Sequence, residues 1–142
     1  MLDAQRVKPH RTSPEELHDL RGIVERDLKD ASIEGLSADR RFATAYNAVL
    51  QLAKMVLACT GYRVTGIGHH LTTFEALELA IGPSAADLCA YFDTCRRKRN
   101  QVDYDFTDAA TETEALELIE KAHEFNGLVE VWIRKTHPTY GI

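Results

Sequence analysis

The stretch from Ser37 to Gly61 constrains this chain most. It opens on a serine suited to cap a helix and closes on a glycine suited to stop one. Its second half, around Ala48 to Ala58, is apolar nearly all round, broken by Gln51 and Lys54. A helix that is apolar on every side must be surrounded by other elements. The remaining segments therefore have to supply its cover.

They do so as helices. Ser13-Pro14-Glu15-Glu16 combines a capping serine, a first-turn proline and a capping-box glutamate, so a helix starts at Ser13. Its apolar face is Leu17, Leu20, Val24 and Leu28, and it ends near Ser32. Gly61 to His70 holds three glycines and reads as a loop. A short helix follows from about Thr72 to Ile81, with Thr72 and Glu75 as its capping box. Gly82-Pro83 breaks the chain, and a fourth helix starts at Ser84 with Asp87 in the box position. Asp105 to Ala110 makes a turn. The fifth helix begins at Thr111, with Glu114 in the box, and runs to about Lys135. Its buried line is Leu118, Ala122, Phe125, Val129 and Trp132. Arg134 and Lys135 sit where the helix dipole favours cations. No segment alternates with period two and no hairpin signal appears. The expectation is an all-α antiparallel bundle of about five helices over 13–137, preceded by a flexible arm over 1–12.

Composition excludes several roles. A net charge of −5 argues against coating nucleic acid through global charge, though not against a local basic cleft. No run approaches the roughly 20 apolar residues that span a bilayer, and no apolar signal core follows Met1. Cys59, Cys89 and Cys95 are odd in number and sit in helical apolar patterns. Buried thiols in a reducing compartment fit them, which points to the cytoplasm and away from a membrane. His69 and His70 are adjacent and point apart, and no paired-cysteine or His-Glu-x-x-His spacing exists. No metal and no cofactor is expected.

The fourth helix carries the polar feature. Leu88, Phe92, Cys95, Arg99, Val102 and Phe106 recur in steps of three and four along one face. Arg99 interrupts that apolar line, and an arginine on a buried seam needs a partner to offset its desolvation. Asn100 and Tyr104 lie four apart beside it, and Arg96, Arg97 and Lys98 precede it. Arg96 to Lys98 suit a solvated face. Asp103, four residues on from Arg99, is placed to pair with it. The segment reads as a candidate anion site made of Arg99, Asn100, Tyr104, Arg96 and Asp103. Phe92, Val102 and Phe106 add apolar surface at which a two-fold homodimer can form.

These residues resemble those of the HEPN superfamily (higher eukaryotes and prokaryotes nucleotide-binding). The resemblance covers about residues 37 to 133. It rests on Ala45-Tyr46-Asn47-Ala48 leading an apolar helix, on Gly61 and the His69-His70 pair, and on a helix ending Arg99-Asn100-Gln101-Val102-Asp103-Tyr104. It implies a helical bundle, commonly dimeric. Many members are metal-independent RNases in toxin–antitoxin, defence and RNA-processing systems, and others partner a minimal nucleotidyltransferase. Active members carry an arginine, four to six residues, then a histidine, often with a polar residue after the arginine. Arg99 and Asn100 match the first half, whereas the position five residues on is Tyr104. The resemblance thus implies RNA or nucleotide binding, with Arg99 and Tyr104 as candidate catalytic groups and the motif histidine absent. A non-catalytic module for a nucleotidyltransferase partner, and an active metal-independent RNase, stay open beside that reading.

Overall fold

The chain's first helical turn is held by its own side chains. The Ser13 hydroxyl accepts from the Glu16 backbone N–H at 3.1 Å, and helix α1 runs Pro14–Ala31. The computed structural model describes residues 7–65, 69–104 and 109–142, with side chains for all of these except 69–72 and 102–104. Ser37 caps α2, Ala38–Cys59, in the same way, accepting from the Arg40 N–H. Helix α3 spans His69–Ile81, α4 Ala86–Tyr104 and α5 Glu112–Thr136. Thr111 and Glu114 close a full capping box on α5. Over the described residues the chain is an all-α bundle of five helices carrying one small two-stranded sheet.

The all-round apolar helix is the centre, as its pattern required. Helix α2 touches α1, α3, α4 and α5. It is long and apolar enough to cross a membrane by length and composition, yet 72% of that stretch is buried inside the bundle. A chain of rings ties its neighbours together. Tyr46 of α2 meets Phe74 of α3 edge-on at 6.2 Å, Phe74 lies 6.0 Å from Phe92 of α4, and Phe92 lies 5.2 Å from Phe125 of α5. Such pairs add about 0.5–1.5 kcal/mol each beyond their burial. Phe92 is therefore spent on the chain's own core and is fully buried there.

Five local expectations change. Val7–Pro9 forms strand β1 inside the expected arm, and Tyr62–Val64 forms β2 inside the expected loop. They pair antiparallel, Val7 with Val64 and Pro9 with Tyr62. Three residues are too few to show an alternation, so nothing local announces them. Gly61 supplies the turn out of α2 at φ 92°, and its carbonyl accepts from the His10 N–H at 2.8 Å. Helix α3 begins at His69 rather than Thr72, so Thr72 is not its cap position and the histidine pair starts the helix instead of lining a loop. Pro83–Ala85 forms a 3₁₀ turn before α4, which delays that helix from Ser84 to Ala86. On α5 the buried line continues to Ile133 and leaves Trp132 half-buried. The line from Val129 takes a step of four where a step of three was expected, and the Trp132 ring lies tilted against His137 at 5.1 Å.

Candidate functional site

Helix α4 turns Phe92, Cys95 and Arg99 to one side, in the expected phase. Phe92 and Cys95 are buried and Arg99 is half-buried, with its Nε shut off from solvent. Its guanidinium carbon lies 5.5 Å from the centroid of the Tyr46 ring. The ring face carries partial negative charge, so it offsets part of the cost of desolvating the cation. Tyr46 is fully buried. Burial pushes its hydroxyl well above the ordinary tyrosine value, with Arg99 pulling the other way, so Tyr46 stays neutral.

The cations that precede Arg99 are engaged by carboxylates of this chain. Arg96 donates from Nε to Asp93 at 2.8 Å, one helical turn back. Arg97, exposed, lies 3.7 Å from the second Asp93 oxygen. Lys98 donates to the Ala109 carbonyl at 3.1 Å and lies 3.4 Å from Glu114. Glu114 is held below the ordinary carboxylate range, first by the Thr111 N–H and then by Lys98. Asn100 is exposed beside Arg99. Asp103 and Tyr104 fall in the last turn of α4, and their side chains lie outside the described residues. So do Val102 and Phe106, and with them the expected Arg99–Asp103 pair. Arg99, Arg96 and Asn100 are thus brought to one helix end, where Arg99 has a fixed aromatic platform.

A cleft of about 320 Å³ runs beside this segment between α4 and α5. Arg97, Lys98 and Gln101 line one wall, and Glu114 and Glu117 the other. Tyr91 also lines it, and burial raises that tyrosine strongly, with Cys95 and then Glu117 adding to the rise. Burial also pushes the Cys95 thiol up to about 11, so it is a protonated packing group and not a nucleophile. Cys59 and Cys89 are raised to about 11 for the same reason. Among the described residues no group of three or more His, Cys, Asp or Glu gathers as a metal site.

Two charged residues are buried where no buried charge was expected. Asp27 on α1 accepts from the Asn47 amide at 2.5 Å, and Arg41 on α2 donates to the Ala31 carbonyl at 2.8 Å and to Glu112 at 3.1 Å. Both interrupt apolar lines as Arg99 does, Asp27 between Val24 and Ala31, Arg41 ahead of Ala45, Ala48 and Leu52. That phase was the available signal. Asn47, one of the residues behind the HEPN resemblance, is thereby a tie between α1 and α2.

No curated protein and no solved structure matches the chain significantly. A family model described as SAV_6107-like HEPN matches residues 34–130, which takes in α2 to α5 for most of their length and the whole α4 segment. HEPN domains have nucleotide- and RNA-related functions at the level of the superfamily. With the match covering most of the chain and the five-helix fold agreeing with it, the protein belongs to the SAV_6107-like HEPN family.

Proposed function

We propose that this protein binds RNA or a nucleotide through the end of α4, with Arg99 as the phosphate contact and Asn100 beside it, and that it cleaves RNA slowly or not at all. The observation that carries this is the guanidinium held half-buried 5.5 Å over Tyr46. A cation fixed before its ligand arrives loses little on binding and stabilises charge that develops nearby. Cleavage by transesterification also needs a proton donor and acceptor near the 2′-hydroxyl and the leaving oxygen. Tyr104 stands where a HEPN motif has its histidine, and with an ordinary pKa near 10 a tyrosine is a poor base at neutral pH. A cytoplasmic setting, a homodimer and a toxin–antitoxin or defence role belong to the same proposal; the first is argued from the three buried free thiols, the others from the family.

The test is metal-free incubation with a total RNA pool. The unmodified protein should leave the pool largely intact. Tyr104→His should create or raise cleavage, because general acid–base help is worth roughly 10²–10⁴-fold, and Arg99→Ala should abolish it. Rapid cleavage by the unmodified protein that survives Arg99→Ala would sink the reading. One observation favours a second reading, a non-catalytic module for a nucleotidyltransferase partner: Asp93 and Glu114 already engage Arg96, Arg97 and Lys98. A protein partner tolerates such a neutralised face better than a phosphate backbone does. Absence of RNA binding at low salt, with Arg99→Ala affecting stability alone, would favour that module.

A further inference from the structure

A second cleft, of about 270 Å³, opens where the small sheet meets the start of α1, the end of α2 and the start of α3. Part of it comes from residues 10–20, which lie outside the matched region 34–130. Leu20, Leu57, Ala58 and Val64 make an apolar lining. Lys54 and Arg63 also line it, both exposed, and among the described residues neither is in an ion pair. Glu16 is the carboxylate among the lining residues, and it is already engaged. His10 Nε2 lies 2.8 and 3.0 Å from its two oxygens, and the Thr12 hydroxyl donates at 2.6 Å. Counted over the described residues, Lys54 and Arg63 against Glu16 leave the cleft one unit positive with His10 neutral, and two with it protonated, on a chain whose net charge is −5.

An apolar hollow with a few convergent polar groups is the usual form of a small-molecule site, and this one falls just below the roughly 300–1,000 Å³ of drug-sized pockets. We infer that the cleft binds a small amphipathic anion, its apolar body against Leu20, Leu57, Ala58 and Val64 and its anionic head between Lys54 and Arg63. An acyl carboxylate and a nucleoside monophosphate both supply that chemistry. The site is separate from the α4 segment. Tyr46 and the Lys54–Ala58 turn are roughly 12–18 Å apart along α2 at 1.5 Å per residue. The inference therefore does not depend on the RNA reading.

The experiment is an amide-resolved NMR titration of the full chain with sodium octanoate and, separately, with adenosine 5′-monophosphate. Octanol and adenosine serve as uncharged counterparts. At least one anion should shift the Leu57, Ala58 and Val64 amides saturably, and which one does so identifies the source. Its uncharged counterpart should bind roughly tenfold more weakly or worse, as should the anion to the double variant Lys54→Met with Arg63→Met, because the charge-assisted contacts are gone. Arg99→Met should leave this binding unchanged, so failure here and failure of the α4 reading are told apart. The inference is overturned if neither anion moves those amides at millimolar concentration, or if the uncharged counterpart binds as tightly as its anion. Undiminished binding of the anion to the double variant would overturn it too. The uncharged counterparts keep the test decisive whatever the variants do to folding.

Discussion

Replacing Arg99 by methionine separates the two jobs its guanidinium can do. Methionine keeps an unbranched apolar stem against the Tyr46 ring and removes the charge. The lost cation–π contact, at 5.5 Å, is worth about 0.5–2 kcal/mol. Against this, a half-buried charge no longer has to be desolvated. The net change in stability should be on the order of 1 kcal/mol or less, moving the urea midpoint by roughly 0.3–1 M at an ordinary m value. Binding should respond more. If Arg99 contacts a phosphate, its loss lowers the slope of log affinity against log salt by about 0.7–1 and weakens single-stranded RNA binding roughly tenfold at low salt. The assay is fluorescence anisotropy of a labelled RNA across a salt series, with urea unfolding on the same samples. A stability loss above about 3 kcal/mol, with affinity and salt slope both unchanged, would refute the reasoning. It would make the arginine a structural group whose removal breaks a buried network.

Three further outcomes follow from the geometry. Arg41→Met should cost about 1–3 kcal/mol in urea unfolding, because it strips the donor from the Ala31 carbonyl, whereas Glu112→Gln should cost less than about 1 kcal/mol. The asymmetry arises because Arg41 is 8% exposed and Glu112 is 62% exposed, and equal losses would contradict it. Glu16 is held below its ordinary value of 4.5, chiefly by the Thr12 hydroxyl and then by His10. Its contribution is present above that ordinary value and is lost as the pH falls through the lower folded value. The stability gap between the unmodified protein and Glu16→Gln should thus be widest near neutrality and shrink below about pH 4.5; a gap constant into strong acid would show that Glu16 does not titrate as described. Sedimentation equilibrium should return twice the chain mass if the proposed homodimer forms, and a single chain mass at tens of micromolar would remove it.

What the sequence determined by itself was mostly local. Caps at Ser13, Ser37 and Thr111 act within one turn, so they mark three helix starts without reference to the rest of the chain. The all-round apolar half of α2 required a surrounding bundle, and phase alone turned Arg99 toward the core. The same phase argument applied to Asp27 and Arg41 would have found both. Tertiary structure decided the rest, because it depends on contacts between residues far apart in the chain. The β1–β2 pairing joins segments more than fifty residues apart, and its backbone bonds leave no side-chain period in three residues. Which carboxylate each cation meets is equally non-local at Lys98, which reaches across to Glu114 on the next helix, and at Arg41, which spans from α1 to α5. The amphipathic cleft exists because the sheet carries Arg63 over the end of α2, where Lys54 already stands. Period and capping act over a single turn, while charge pairing and cavities arise only once distant segments are packed together.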